Sequence, residues 1–356
     1  MRREAILAVD VGGTSIAAGL VAPDGEILGQ LQAPTRERGT ALDTLNALLD
    51  ELLAAARGRG LRVLGLGAGV PGAVDATTGV VGEDVQNVPE LARLPLTRHL
   101  RARFGLPAFV DNDVNALALG EWTFGRARGA RSLVLLAIGT GVGGGIILDG
   151  QLVRGAAGYG GELGHISVNF DGRPCFCGGR GCLKAYVAGP DIAAAARARL
   201  ETDRDSRLLA LAGGDPDAVS AAHVFRAAGD GDRLAGALVE EICQALGAGL
   251  AAIVNALNPE VILVTGGVAE SLKPLEAAIL RWTGRYAFAR ALAATRMTVL
   301  VLDKHATVRG GAALFLYERS RSRRPTRVER RGSQRRVRSG ARRRVRPTRR
   351  RSGRRR

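Results

Sequence analysis

The stretch Glu4-Ala-Ile-Leu-Ala-Val-Asp-Val-Gly-Gly-Thr14 joins an apolar run to a glycine-rich turn, and this pattern occurs twice in the chain. Its second copy is the apolar run 132–138, followed by the turn Gly139-Thr-Gly-Val-Gly-Gly-Gly145. In both copies another apolar run comes after the turn, which predicts a strand on each side of it. The sequence therefore predicts a duplicated strand–turn–strand unit as the core of the fold.

The segments between and after these two units alternate between the periods of strands and helices. Residues 40–57 predict an amphipathic helix, and Asp111-Asn-Asp113 predicts the cap of another helix. A long helix is predicted over 232–256 and a strand over 261–265. Alternation of this kind is typical of an α/β protein, here one with two lobes.

The length and the distribution of charge predict three regions. The 356 residues exceed a typical single domain, and 46% of them are hydrophobic, which is enough for two cores. We predict an N-terminal lobe over 1–118, with a final helix at 306–318 that packs back on it, and a C-terminal lobe over 119–305. Residues 319–356 contain 20 arginines and one acid, so their net charge is +19. Since the whole chain has a net charge of +17, residues 1–318 have a net charge of −2. This tail has no hydrophobic periodicity and is predicted to be disordered.

Neither a signal peptide nor a membrane span is predicted. The first ten residues have only a short apolar run, and no stretch of about 18 uncharged apolar residues occurs. We therefore predict a cytoplasmic protein. The arginine-rich tail suits electrostatic binding of nucleic acid or polyphosphate, and the alternative is that it is a sequence or reading-frame artefact.

A second pattern predicts a metal site. Three of the four cysteines lie in Cys175-Phe-Cys-Gly-Gly-Arg-Gly-Cys182, and His165 lies ten residues upstream of the first of them. Three thiolates and an imidazole are a standard ligand set for structural zinc, and glycine lets the chain fold back tightly between them. We predict that His165, Cys175, Cys177 and Cys182 bind Zn²⁺. A disulfide and incidental cysteines are the weaker alternatives.

Three glycine-rich turns, at 10–14, 139–145 and 264–268, suit phosphate binding, because glycine lets backbone N–H groups approach phosphate oxygens. None has the lysine of a Walker A loop, and the first leads into a strand rather than a helix, which argues against a Rossmann site. Asp113, at a strand-to-helix junction, is the candidate general base for phosphoryl transfer to a hydroxyl. The alternative is that Asp111, Asn112 and Asp113 are only helix caps.

Together with Gly69-Val-Pro-Gly72, Asn112-Asp-Val-Asn-Ala116 and Glu162-Leu-Gly-His165, these motifs resemble the ROK family of repressors, open reading frames and kinases. The resemblance runs in order over residues 4 to 317. It implies an actin-like, ribonuclease-H-like ATPase fold with the active site between the lobes. It also implies a homodimer and the ATP- and Mg²⁺-dependent phosphorylation of a hexose at its 6-hydroxyl, with glucose as the first expectation.

The resemblance also implies roles for individual residues, with Asp113 as the base. The residues expected to bind the sugar are Asn87, Asn112, Glu162, His165 and the residue at position 184. Those expected to bind the nucleotide are Asp10 (near Mg²⁺), Gly12, Gly13, Thr14, Gly139, Thr140, Gly141, Gly143, Gly144, Gly266 and Gly267.

One position departs from the family pattern. The family has a sugar-binding glutamate two residues after the last cysteine, where this chain has Lys184. Lysine cannot accept a hydrogen bond and has the opposite charge. Either Lys184 favours a sugar with an anionic or acceptor-rich substituent, or it swings out and water or a neighbour takes its place.

Several functions stay open on sequence alone. N-acetylmannosamine, N-acetylglucosamine, fructose and mannose are alternative substrates, and polyphosphate is an alternative donor. The repressors of the family resemble this chain as well, but they carry an N-terminal helix-turn-helix domain, whereas this sequence enters its first strand at Glu4. We therefore expect a kinase.

Overall fold

Two five-stranded mixed sheets, each built on one of the strand–turn–strand units, form the framework of the protein. The computed structural model describes residues 2–85, 87–203, 205–301 and 303–322. The first sheet has the order β3-β2-β1-β4-β5, and its strands are β1 (Glu4–Val11), β2 (Ser15–Val21), β3 (Ile27–Pro34), β4 (Arg62–Val70) and β5 (Ala108–Asn112). The second has the order β10-β9-β6-β7-β8, and its strands are β6 (Leu133–Ile138), β7 (Val142–Leu148), β8 (Gln151–Leu152), β9 (Val261–Thr265) and β10 (Arg296–Val299).

The two sheets repeat the same pairing at their centres. β1 pairs antiparallel with β2 and parallel with β4, and β6 likewise pairs antiparallel with β7 and parallel with β9. The predicted α/β class with a duplicated strand–turn–strand core is therefore confirmed.

Twelve α-helices lie in the described residues. They are α1 (Ala41–Gly58), α2 (Leu96–Phe104), α3 (Asp113–Thr123), α4 (Lys184–Val187), α5 (Gly189–Leu200), α6 (Arg207–Leu211), α7 (Ala221–Gly229), α8 (Arg233–Leu257), α9 (Ala269–Leu272), α10 (Glu276–Tyr286), α11 (Ala289–Ala293) and α12 (Ala306–Ser322). Short 3₁₀ turns lie at Pro89–Leu91, Leu163–His165, Pro216–Ala218 and Lys273–Leu275.

Each sheet has its own apolar core. α1 begins with a capping box between Thr40 and Asp43 and buries Leu45, Leu49 and Leu52 against the first sheet. The second core lies around α8. Within the described residues, α8 is the one helix that is long and apolar enough to cross a membrane by length and composition, but 67% of its most apolar window is buried inside the fold. That burial is what the central helix of a globular core shows.

The structure corrects two boundaries. β7 starts at Val142, so Gly143 and Gly144 lie in a strand rather than in the predicted turn. The last helix continues to Ser322, beyond the predicted limit at residue 318, so residues 319–322 are helical rather than disordered. Arginine is a good helix former, and Arg321 pairs with Glu318 one turn earlier. The rest of the predicted tail, 323–356, lies outside the described residues.

The last helix packs against the first sheet through a contact between glycines. A Cβ atom added to Gly67 in β4 would overlap the carbonyl oxygen of Gly311 in α12. The ring of Phe315 lies 5.9 Å from that of Phe109 in β5. Residues 1–315 form one compact unit, so the division into lobes at residues 118 and 305 stays a prediction.

We predict that Gly67→Ala lowers the free energy of unfolding by about 1–3 kcal/mol, because the methyl group has no room between β4 and α12. Gly58→Ala is the matched control, since a Cβ at this last residue of α1 meets nothing within 4 Å. It should leave stability unchanged or raise it by up to about 1 kcal/mol. Urea denaturation of both variants checks this, and equal midpoints would contradict the proposed contact.

Candidate active site

The candidate base and its neighbours lie at one edge of the first sheet. β1, β4 and β5 are parallel, and their register pairs Asp10 with Gly69 and Gly69 with Asp111. Because parallel strands end at the same edge, Asp10 and the start of α3 at Asp113 come together there. Ligands of open α/β sheets bind outside the carboxyl ends of the strands, so this edge is where a ligand is expected.

Asp113 and Asp10 are partly buried carboxyl groups, and their surroundings raise the pKa of each. Burial, and then the negative charge of Asp10, raises the pKa of Asp113 from 3.8 to about 7. Burial also raises the pKa of Asp10 to about 6, against the opposing effect of a hydrogen bond from Thr307. A carboxyl group that titrates near neutral pH can take a proton from a hydroxyl and release it again, as general-base catalysis requires.

The side chain of Asn112 does cap α3, as one alternative proposed. Its Oδ1 accepts hydrogen bonds from the backbone N–H of Val114 (2.9 Å) and Asn115 (3.1 Å). Its Nδ2 donates to the carbonyl oxygen of Gly72 (3.1 Å). The Asn112 side chain also forms a hydrogen bond with the Asp113 carboxyl, which lowers the pKa of Asp113 against the larger effect of burial.

Asp111 is a structural residue that ties the two sheets together. Its Oδ2 accepts from Nε and Nη2 of Arg154, both at 2.6 Å, and only 2% of its side chain is exposed. Its Oδ1 accepts from the backbone of Asn112 (2.7 Å) and from Asn115 Nδ2 (2.9 Å). Arg154 follows β8, the last strand of the second sheet. Nothing in its local sequence distinguishes it from the many other arginines, so the sequence could not identify this link.

The first glycine-rich turn is held by Thr35 at the end of β3. Thr35 Oγ1 donates to the carbonyl oxygen of Gly12 (2.7 Å), and its backbone N–H donates to that of Thr14 (3.0 Å). Asn87 covers this turn, since a Cβ on Gly13 would lie 2.7 Å from the Asn87 Cβ. The exposed Asn87 thus lies beside the turn.

The two turns of the second sheet meet in the same way, because β6 and β9 are parallel and Ala137 pairs with Thr265. The N–H of Val268 donates to the carbonyl oxygen of Ile138 (3.0 Å), which joins the turns. A Cβ on Gly141 or Gly267 would meet nothing within 4 Å. Packing therefore does not require these two glycines, and the space in front of them is open to a ligand.

Gly143 and Gly144, whose predicted nucleotide binding stays a prediction, lie in β7 and are closely packed. A Cβ on Gly143 would lie 2.6 Å from the Val114 side chain, and one on Gly144 would lie 2.8 Å from that of Leu163. They let α3 and the 3₁₀ turn approach β7 from its two faces. Since Val114 follows Asp113 directly, the contact at Gly143 brings the turn at 139–141 close to the candidate base.

The predicted metal ligands form a cluster. The ligand atoms of His165, Cys175, Cys177 and Cys182 all lie within 4.8 Å of one another, with 3.6 Å from His165 Nδ1 to Cys175 Sγ and 3.7 Å from Cys177 Sγ to Cys182 Sγ. Two sulfur ligands of tetrahedral zinc, each about 2.3 Å from the ion, are about 3.8 Å apart. The cluster therefore has the dimensions of a zinc site. Glu162 lies three residues before His165, at the start of the 3₁₀ turn, where that spacing places two residues on one face.

Lys184 does not extend into solvent. Its Nζ lies 2.9 Å from Asp191 Oδ2 and 4.9 Å from the centre of the Phe176 ring, and 17% of its side chain is exposed. The Phe176 ring packs edge-on against His165 at 5.3 Å. Lys184 is thus beside the cysteine–histidine cluster but paired with a residue of α5.

Partly buried carboxyl groups and open glycine-rich turns at the strand ends of two repeated sheets define a protein of the actin-like ATPase class. The chain belongs to the ROK family, whose model matches residues 6–318. It is 35% identical to the glucokinase of Thermotoga maritima over 266 residues, which are 75% of this chain and 83% of that protein.

Two solved structures are similar to this chain. The ROK hexokinase from Thermus thermophilus superposes with a TM-score of 0.75 at 32% identity, over 89% of this chain and 99% of the other. A ROK glucokinase from Streptomyces griseus in complex with glucose and AMPPNP superposes with a TM-score of 0.65 at 34% identity, over 87% of this chain and 98% of the other. The predicted actin-like fold is confirmed by these matches.

We predict that Asp113→Asn stabilises the protein at neutral and alkaline pH. The pKa of Asp113 is higher in the folded state, so folded protein holds this proton more tightly than the unfolded chain does. The free energy of unfolding therefore falls as pH rises from about 4 to about 7, and stays low above that. Asparagine removes this cost, which is on the order of 1–3 kcal/mol at pH 8, and should change stability little at pH 4. Urea denaturation at both pH values checks this; a destabilised variant at pH 8 would contradict the burial of charge at Asp113.

Proposed function

We propose that this protein is an ATP-dependent hexose kinase that phosphorylates glucose at its 6-hydroxyl, with Asp113 as the general base. The observation that carries this proposal is the position of Asp113. It is a partly buried carboxyl group with a pKa of about 7, beside Asp10 and next to open glycine-rich turns. Relatives that are named glucokinases, and one that binds glucose and AMPPNP, support glucose and ATP as the substrates.

The reaction requires little covalent chemistry from the protein. Asp113 accepts the proton of the 6-hydroxyl while the hydroxyl oxygen forms a bond to the γ-phosphorus of ATP, and the bond between that phosphorus and ADP breaks. Asp113 must be ionised to accept the proton. The hydrogen bond that its Oδ1 accepts from the Val114 N–H at 2.8 Å fixes the orientation of the carboxylate.

The turns at 10–14, 139–141 and 266–267 would hold the phosphates and the adenosine through backbone N–H groups. Asp10 would hold Mg²⁺, and its pKa of about 6 leaves it mostly ionised at neutral pH. The ion would supply positive charge to the transferring phosphoryl group. Asn87, Asn112, Glu162 and His165 would bind the sugar hydroxyls.

The cysteine cluster would hold a structural Zn²⁺. Four protein ligands fill a tetrahedral zinc site, so no position is left for substrate or water. With Nδ1 of His165 facing the cluster at 3.6 Å from Cys175 Sγ, Nε2 of the same ring is free to face a sugar hydroxyl. The ion would thus position a sugar-binding residue.

A homodimer, a cytoplasmic location and polyanion binding by the tail remain predictions from the sequence. Size-exclusion chromatography with light scattering measures the first directly. Salt-dependent binding of polyphosphate or DNA, compared between the full chain and one that ends at Ser322, tests the last.

A coupled kinase assay with glucose, mannose, fructose and the N-acetylhexosamines tests the proposed activity and identifies the preferred sugar. We predict that Asp113→Asn lowers kcat by about 10²–10⁴, because asparagine cannot accept the proton. Asp50→Asn on the exposed face of α1 is the matched control and should leave kcat unchanged. Near wild-type turnover in Asp113→Asn would refute the role of this residue.

The pH profile should report the same group. We predict that kcat/KM for the sugar falls about tenfold per pH unit below a pKa near 7, since only ionised Asp113 is active. A profile that stays flat down to pH 5 would contradict the raised pKa of Asp113.

The zinc site is tested by its metal content and by its effect on the two substrates. We predict about one zinc per chain by elemental analysis, and a loss of most of it in Cys177→Ser. The KM for sugar should rise at least several-fold in this variant while the KM for ATP changes little, because His165 lies on the sugar side. An equal rise in both values would indicate general unfolding instead.

A further inference from the structure

The ion pair between Lys184 and Asp191 is a feature of the candidate sugar site that the sequence did not indicate. The ammonium lies 2.9 Å from Oδ2 and 3.2 Å from Oδ1 of Asp191, so it bridges both oxygens. Both side chains are largely shielded, with 17% and 23% exposed. A shielded pair of this kind interacts more strongly than an ion pair in open water.

Each partner depends on the other. Oδ2 of Asp191 is buried, and within the described residues the Lys184 ammonium is the group that lies at ion-pair distance from it, so the charge of Lys184 is what offsets its burial. Removing either charge alone leaves the other uncompensated in a shielded place, which is costly. The position of Asp191 in the first turn of α5 also favours a negative charge, because it faces the positive end of the helix dipole.

The pair lies between the cysteine–histidine cluster and the glycine-rich turn. On one side the ammonium lies over Phe176, whose ring packs against His165. On the other side α5 is anchored, since the N–H of Gly189 donates to the carbonyl oxygen of Gly139 at 2.9 Å. Asp191 therefore holds the Lys184 ammonium at a defined place beside the residues that would bind the sugar.

We propose that Asp191 is a specificity-determining positioning residue of the sugar site, which neutralises Lys184 and thereby keeps the site selective for neutral hexoses. The inference rests on the proposed hexose kinase function. The proposal replaces both roles considered for Lys184 above. The paired lysine is not a free cation that recruits an anionic sugar, and its side chain does not swing out of the site. The paired ammonium has a third hydrogen, which can still donate to a sugar hydroxyl oxygen.

Charge selectivity between two sugars of nearly the same size tests the proposal. The measurement is the ratio of kcat/KM for protonated glucosamine to kcat/KM for glucose. Asp191→Asn leaves the Lys184 cation unpaired and should lower this ratio roughly fivefold to tenfold. Lys184→Met leaves the carboxylate unpaired and should raise the ratio by a similar factor. The double variant Lys184→Met with Asp191→Asn is neutral again and should return the ratio to within about twofold of wild type.

Asp50→Asn makes the same charge change at an exposed site and should leave the ratio unchanged. A merely structural role of the pair would lower both kcat/KM values together in the single variants, with an unchanged ratio, and that result would overturn the inference. If the wild-type protein phosphorylates glucose but the ratio does not depend on the charges at 184 and 191, the inference fails while the proposed function stands. If the wild-type protein phosphorylates no hexose, the proposed function fails and the inference fails with it.

Discussion

The partial burial of two carboxyl groups at one sheet edge is the constraint on which the site depends. Asp10 and Asp113 are brought together because β1, β4 and β5 are parallel and end at the same level. The negative charge of Asp10 makes Asp113 harder to ionise, in addition to the effect of burial. Holding this charge in a shielded place lowers the stability of the fold. In return, the group can exchange a proton near neutral pH, and such costs are common in catalytic sites.

Close packing of small residues makes this arrangement possible. Gly143 lets α3 approach β7, and the contact between Gly67 and Gly311 lets α12 lie against β4. These contacts bring the second sheet to the start of α3, and they bring Thr307, at the start of α12, to Asp10. Glycine thus has two separate roles here. In the strands it lets a helix pack closely against the sheet, whereas at Gly141 and Gly267 it leaves space in which a ligand can bind.

The proposed sugar side of the site combines an ion pair with the cysteine cluster. His165 belongs to the cluster, and Lys184 lies over Phe176, next to that histidine. A lysine alone at this place would create an unbalanced positive charge in a shielded region. In our proposal, the negative charge of Asp191 balances the positive charge of Lys184. The site therefore does not become cationic, although lysine stands where the ROK pattern has glutamate.

The sequence by itself was sufficient to predict the fold class and most strands and helices, and it singled out the four residues of the cysteine–histidine cluster and the candidate base, whose roles stay predictions. These features depend on local spacing: alternating apolar runs, helix caps, glycine-rich turns and cysteines within a few residues of each other. Only the tertiary structure could decide that Asp111 pairs with Arg154, that Gly143 is a packing residue, and that Lys184 is neutralised by Asp191. The reason is physical: each of these depends on the distance between segments that meet only when the strands, helices and turns pack together.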